Sequence, residues 1–309
     1  MESPQALQQR IQSLGDLQQI VRTMKALSAV SIRQYERAAD TLADSEQCIQ
    51  LGLQVALRDG LQALPDRSAN GSSAAAVIVF GTDHGLCGRF NEVIAEQALE
   101  HVSEQASQQA SEQASEQSPG EQARGEQAPA AMHWLAVGER LLPLLDQQSQ
   151  LEWMQVPSSA TGITAVVQRV LLRVDDWRAQ GVDRVELFHN RPSGRSGYAP
   201  TRQQLFPFDR ERFQRFAQLP WPSRQLPQAM MPQPALLRHL LRQHYFFMLF
   251  RALAESLAAE HGGRLAAMQA AEKNIDERLE EVTGRFRRVR QEQITSELLD
   301  VVSGFEAVS

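Results

Sequence analysis

The sequence predicts an α/β protein made of a long antiparallel coiled coil, formed by its two end segments, and a small body of alternating strands and helices between them. Three observations carry this reading. Apolar residues recur at heptad spacing at both ends, strand-length apolar runs alternate with amphipathic stretches in the middle, and no proline follows Pro234.

At the amino end Leu7, Leu14, Val21, Tyr35, Leu42 and Ile49 recur at multiples of seven, with Ile11, Ile32 and Leu53 on the companion positions four residues later. The carboxyl end repeats the pattern through Leu265, Met268, Ile275, Leu279, Val282, Phe286 and Val289. Helices over 4–58 and 235–303 would be about 80 Å and about 100 Å long at a rise of 1.5 Å per residue. An ordinary domain cannot bury either one along its length, so the two stripes are expected to bury against each other.

Inward from the first helix, Asp59-Gly60 and the breakers of 65–73 mark a loop. Strands are expected over 74–80, 132–137, 151–156 and 184–188, and helices over 90–102, 138–147 and 163–179. The last of these carries Val166, Val167, Val170, Leu171 and Val174 on one face. Such alternation gives a small, mostly parallel, Rossmann-like sheet with covering helices. Residues 194–208 are expected to add an edge hairpin, and the prolines at 207, 220, 222, 227, 232 and 234 mark an extended connector. The expected organisation is a coiled-coil helix in 1–60, a body in 74–208 and a second coiled-coil helix in 235–309. Within the body, 103–130 repeats Ser-Glu-Gln-Ala units with almost nothing apolar beyond alanine, so it is read as a low-complexity insert that is disordered or frays from the preceding helix, with extension of that helix and an acidic docking site for a partner as the alternatives.

Composition narrows the function. A formal charge of -6 gives no whole-chain attraction to nucleic acid. Lys25 and Lys273 are the only lysines, so the positive charge is almost all arginine. The bulkiest apolar run, 245–250, is closed by His244 and Arg251, far short of the ~20 residues a membrane span needs. Cys48 and Cys87 lie in segments of different character and the amino terminus lacks the pattern of a secretory signal, so a reducing, cytosolic setting is the expectation.

Five groups of residues are candidate sites. The cluster from Gly81 to Asn91 follows a strand and opens a helix, where a phosphate-binding turn would sit, yet Gly81, Gly85 and Gly88 match neither a dinucleotide fingerprint nor a P-loop. A tight strand-to-helix turn explains them. Cys87 with His84 lacks a third orienting group and reads as a structural cysteine. His239 and His244 are five apart, which is not one helix face, and Glu280 with Glu281 reads as a solvated face. Arg285, Arg287, Arg288 and Arg290 flank the seam residues Phe286 and Val289, with Glu281 placed to pair Arg285. They read as a solvated face or as contacts to an acidic protein partner. No catalytic, cofactor or metal site is expected.

The residues do resemble a known family, the gamma subunit or central stalk of F-type rotary ATP synthases. Residues 11–33, with Gln18, Ile20, Met24, Ala29 and Arg33, look like that family's opening helix. Glu260-His-Gly-Gly-Arg264-Leu-Ala-Ala-Met268, then Ala271 and Asn274, then Arg290-Gln291-Glu-Gln-Ile294-Thr295-Ser-Glu297-Leu298 and Ser303-Gly304, look like its closing helix. Gly85-Leu-Cys-Gly88-Arg-Phe-Asn91 resembles the glycine-rich turn of its α/β domain. The resemblance covers about half the chain closely and the proline-rich connector poorly.

What it implies is a rotor with no chemistry of its own. The coiled coil would insert into a ring of alpha and beta subunits, with the body beside the epsilon subunit on the membrane c-ring, at the cytoplasmic face of the plasma membrane. Met24, Arg264, Arg290, Gln291 and Thr295 would be coupling contacts. The chain departs from the family in the 103–130 insert, in its missing lysines and in a bulkier carboxyl tip. Gly262-Gly263, in a helix commonly rich in alanine there, implies a local flex or a closer contact. These departures admit a divergent, sodium-coupled branch, although the ion is chosen by the membrane ring. A free-standing coiled-coil adaptor and a small α/β nucleotide-binding enzyme are the alternatives.

Overall fold

The computed structural model describes residues 3–58, 74–116, 132–194, 197–207, 220–221, 224–225 and 227–306, with the backbone alone in 109–116 and 304–306. The helices are α1 (Pro4–Asp40), α2 (Ala43–Arg58), α3 (Phe90–Glu116), α4 (Ile163–Ala179) and α5 (Gln233–Glu306). The strands are β1 (Ala75–Phe80), β2 (Met132–Val137), β3 (Leu151–Met154), β4 (Arg184–Ser193) and β5 (Gly197–Phe206). The chain divides into two compact units, residues 31–263 and residues 1–30 with 264–309.

The larger unit is built on a sheet of order β3-β2-β1-β4-β5. Its first four strands are parallel and β5 pairs antiparallel with β4. Strands buried on both faces have to be apolar throughout, and β1, with sequence AAVIVF, is buried from its second residue on. One face packs α3 through Ile94, Ala95 and Ala98 against Val77, Val79, Trp134 and Phe188. The opposite face packs α4, α2 and part of α5. Here the predicted α4 face, Val166, Val167, Val170, Leu171 and Val174, is buried together with Ile163 and Trp177.

In the same core Leu237, Leu241, Tyr245, Leu249, Leu253 and Leu257 of α5 are buried at steps of four. A row spaced by four is inclined to the helix axis, so the buried stripe winds around α5 as it crosses the sheet. Around 249–260 the helix is buried on nearly every side. The aromatic run 245–250 is thus core material, and among the described residues no helix is long and apolar enough to cross a membrane.

Four local expectations are corrected. The first helix does not run unbroken to Arg58, because the Thr41 hydroxyl donates to the Ala38 carbonyl and Leu42 N–H donates to Ala39 three residues back, closing a tight turn before α2. Residues 138–147 form a six-residue 3-10 helix, Glu139–Leu144, rather than an α-helix, since Pro143 inside it has no N–H to donate. Strand β3 stops at Met154, and the Val156 N–H donates to Asp83 Oδ2 at 2.9 Å instead of to a ladder. Helix α3 continues through Glu116 into the polar repeat, while 117–131 lie outside the described residues.

A buried carboxylate anchors that continuation. Glu186 on β4 is 2 % exposed and accepts hydrogen bonds from Gln105 at 3.0 Å and Arg202 at 3.2 Å, with His101 Nε2 at 2.9 Å. Arg184 in turn donates to Gln105 Oε1 at 2.7 Å. An ionised group with this little water is tolerable only when its oxygens are paired, which Gln105 and His101 on α3 help to do.

The smaller unit is an antiparallel helix pair. Arg22 donates to Glu272 at 3.0 Å, Lys25 also reaches Glu272, and Gln18, one turn earlier on α1, reaches Asp276, one turn later on α5. Hydrogen bonds from Lys25 and then Arg22 hold the Glu272 carboxyl below its usual pKa range. Leu7, Val21, Met268 and Val282 are buried in the seam, with Ile11, Leu14, Leu265, Ile275, Leu279, Phe286 and Val289 half-buried beside them. These are the expected heptad residues up to Val21 and from Leu265 onward, met in the antiparallel sense, whereas Tyr35, Leu42, Ile49 and Leu53 of the amino-end series are corrected: they pack into the core of the larger unit and not into a coiled coil.

Two consequences can be measured. Asp83 accepts from the Glu139 and Val156 amides, both at 2.9 Å, so Asp83→Ala should cost about 1–3 kcal/mol in urea unfolding; an unchanged midpoint would remove it from the fold's supports. Burial disfavours ionised Glu255, but hydrogen bonds from His189 at 3.2 Å and Arg191 at 3.1 Å outweigh it and lower its pKa. A lowered folded value means stability present above the unfolded pKa, about 4.3, and lost as pH falls through the folded one. Glu255→Gln should therefore flatten the stability profile on the acid side of pH ~4.3 and leave its shape near neutrality unchanged.

Candidate partner interface

Helix α5 runs on past the start of α1. Carrying the Arg22–Glu272 register outward brings Pro4 level with about residue 290, at one residue forward on one helix for one back on the other. Every residue from Arg290 to Ser303 is exposed. On this end Ile294, Leu298 and Val301, with Leu299 and Val302 beside them, form an apolar stripe that is 49–69 % exposed. Its spacing of four and three keeps a heptad rhythm but falls one or two residues past the seam, whose next positions after Val289 are Gln293, Ser296 and Asp300. The seam ends and a differently directed face begins.

The predicted contact residues fall into two groups on this unit. Arg290, Gln291 and Thr295 lie on the exposed end, where the Thr295 hydroxyl donates to the Gln291 carbonyl at 2.9 Å, leaving the Gln291 amide outward. Arg285 pairs with Glu281 at 2.6 Å, whereas Arg287, Arg288 and Arg290 make no ion pair among the described residues. Met24 is half-buried on α1, level with about residue 270 by the same register, which separates it from Arg290 by roughly 30 Å along the axis. Arg264 is 7 % exposed, the most buried of the five.

The structure adds residues that the sequence reading missed as a set. Leu17, Ile20, Leu27 and Val30 on α1 are 49–63 % exposed. With Met24 they follow steps of three and four, a second apolar stripe flanking the seam. The signal was present in the sequence, but the stronger series through Leu7, Leu14 and Val21 masked it.

The glycine-rich turn is braced at its base by its own hydrogen bonds. The Thr82 N–H donates to Asn91 Oδ1 at 3.0 Å, Asn91 Nδ2 donates to Thr82 Oγ1 at 2.9 Å, and the Thr82 hydroxyl donates to the His84 carbonyl at 2.9 Å. A side chain at Gly81 would stand 2.6 Å from Asn91 Oδ1 and Leu141 Cγ, and Gly88 has φ 71°. The turn needs glycine for its packing and path. Cys87 is buried, and its thiol lies 3.9 Å from the His84 carbonyl oxygen. Among the described residues no three His, Cys, Asp or Glu side chains are grouped as metal ligands.

Fold and surface together define a class: an assembly subunit that pairs an α/β unit with a coiled-coil unit whose free apolar surface is offered to other chains. The family model described as ATP synthase matches residues 3–308. The chain belongs to the ATP synthase gamma-subunit family. It is 27 % identical over 321 residues to the ATP synthase gamma chain of Geobacter metallireducens, covering 100 % of this chain and 99 % of that one. With the ATP synthase gamma chain of an Anaeromyxobacter species it shares 28 % identity over 318 residues, covering 100 % of both. Its fold matches a chain in the OSCP/F1/c-ring structure of Euglena gracilis mitochondrial ATP synthase with TM-score 0.62 and 16 % identity, covering 99 % of this chain and 94 % of that one.

The two kinds of apolar residue should respond differently to substitution. Val21→Ala and Met268→Ala remove seam contacts and should cost about 1–5 kcal/mol in thermal or urea unfolding of the whole chain. Leu27→Gln and Leu298→Gln should stay within about 0.5 kcal/mol, because those side chains already face water. Equal losses at all four sites would mean that the exposed stripes are packed in solution.

Proposed function

We propose that this chain is the central rotor shaft of an F-type ATP synthase, coupling ion flow through the membrane sector to conformational cycling of the catalytic ring. The observation that carries the reading is family membership over nearly the whole chain, joined to a coiled-coil unit with two exposed apolar stripes. Its partners are the alpha and beta subunits around the shaft, and the epsilon subunit and c-ring at the body. It works at the cytoplasmic face of the plasma membrane as a peripheral part of the complex, and it has no catalytic residues of its own. Residues 1–30 and 264–309 serve as the shaft, and 31–263, whose core takes in α2 and the start of α5, as the body.

The physical requirement on such a shaft is asymmetry. A rotor shifts the three catalytic sites only if each angle binds their conformations with different free energies, since equal contacts at every angle shift no equilibrium. The apolar stripes, the exposed Arg287, Arg288 and Arg290 and the outward Gln291 lie on defined helix faces, which supplies that inequality. Met24, Arg290, Gln291 and Thr295 are assigned to contacts with the ring. Arg264 joins them on the family resemblance, and its burial limits its contribution to bracing the helix pair beside the contact.

Co-expression with its native alpha and beta subunits tests the reading. Native mass spectrometry should find one copy of this chain in each alpha–beta ring, with ATPase activity that depends on it; a chain that only self-associates would favour the adaptor alternative. Within the assembled complex, Gln291→Ala and Arg290→Ala should lower ATP-driven ion pumping about 3- to 30-fold, the loss of one or two polar contacts, with the melting temperature of the free chain unchanged. Full pumping in both variants would remove those two residues from the contact set.

A further inference from the structure

The seam of the helix pair is interrupted by charge at one level. Four residues after Leu7, Leu14 and Val21, the companion positions of α1 read Ile11, Gln18 and Lys25. On α5 the steps of three and four that run from Leu265 and Met268 to Ile275 and Leu279 place Glu272 on the seam as well. These two charged seam residues meet. Lys25 reaches Glu272, whose side chain is only 18 % exposed, and Arg22 donates to the same carboxylate at 3.0 Å. A charge this far withdrawn from water gives up hydration to make its pairs, so an apolar layer in its place is often as stable or more so. What an ionic layer supplies that leucine does not is direction.

An apolar seam resists separation better than it resists sliding, because burial is non-directional and displacing one helix along the other exchanges one apolar contact for another. The Glu272 layer has the opposite property. Arg22 and Lys25 stand about 4.5 Å apart along α1 and both hold one carboxylate. Sliding in either direction opens one of the two pairs and leaves a partly desolvated charge with a weaker grip. Gln18 repeats the grip one turn away by donating to Asp276. The stretch from Gln18 to Lys25 also carries much of the exposed stripe that runs from Leu17 through Met24 to Val30, so whatever fixes α1 axially there fixes that stripe too.

We propose that Glu272 is a positioning residue for coupling: gripped by Lys25 and Arg22, it keeps α1 and α5 from sliding past each other when the shaft carries load, and so holds the Leu17–Val30 stripe at a fixed height. Its purpose in coupling rests on the rotor reading, while the lock itself is a property of the free chain. Glu272 acts through α1 and touches no partner itself.

Two measurements test it, each on three forms of the chain. One form is unaltered, one has an apolar layer (Lys25→Leu with Glu272→Leu), and one has all three charges reversed (Arg22→Glu and Lys25→Glu with Glu272→Lys). In the free chain carrying Cys48→Ser, spin labels attached after Ser13→Cys and Glu280→Cys sit level across the pair on exposed positions. The apolar layer should keep or raise the melting temperature yet spread the label distances to longer values, and the reversed layer should keep them narrow. In the complete complex the apolar layer should lower ions pumped per ATP hydrolysed about threefold or more, and the reversed layer should hold that ratio within about twofold. An apolar layer that keeps narrow distances or the full ratio overturns the proposal, as does a reversed layer that loses the ratio equally. A melting temperature that falls in step with the ratio overturns it too, since Glu272 would then be an ordinary support. Should the apolar layer fail to assemble, Glu272→Gln keeps the shape and drops the charge; it should lower the ratio, and full coupling there overturns the proposal. Should the reversed layer fail, Lys25→Arg keeps the pair and should keep the ratio, and its loss overturns the proposal. Failure of the unaltered chain to assemble with alpha and beta would sink the rotor reading, and the label distances would still decide the lock.

Discussion

A single helix of 74 residues has to be held along its length by something other than its own hydrogen bonds, and how α5 is held governs the rest of this structure. Its surface changes character along the way. Over 237–257 the buried residues step by four and sink into the core of the body, over 265–289 they follow heptads against α1, and from Arg290 to Ser303 no described residue covers it. Each change in periodicity is a change of partner. The charged residues follow the same division, since Glu255 faces β4, Glu272 faces Lys25 and Arg22, and Arg287, Arg288 and Arg290 face solvent.

An apolar stripe left in water is a cost that a monomer has no reason to bear. Two of them on one helix pair, each keeping coiled-coil rhythm but turned away from the seam, are surfaces shaped for other chains. This is why contact with other chains is the legible part of the function. The one segment that looked like a ligand site, the turn from Gly81 to Asn91, commits the Thr82 amide and the Thr82 and Asn91 side chains to bracing its own base.

The periodic parts of the fold were the legible parts. The seam from Leu7 to Val21 and from Met268 to Val289, the apolar face of α4 and the parallel strands all follow from spacing, because one burial pattern dominates each. What escaped depended on single residues or on contacts between distant ones. Pro143 cut an expected α-helix to a 3-10 turn, and Asp83 drew Val156 out of an expected strand. Gln105 and His101 tied polar repeat sequence to a buried Glu186 that no local pattern announces. Gly263 became intelligible only once Tyr198 and Cys87 were seen against it. Of the five contact residues carried over from the family, the sequence placed all on the helix pair, yet nothing in it marked Arg264 as buried while Arg290 and Gln291 stood free.

The central claim is that α5 changes partner at about residue 290, from α1 within the chain to other subunits beyond it. Amide hydrogen exchange on the free chain and on the assembled complex measures this directly. The account predicts that 265–289 is protected in both states, while 291–306 exchanges rapidly in the free chain and slows in the complex. Equal protection of 291–306 in the free chain, or equally fast exchange in both states, would contradict it.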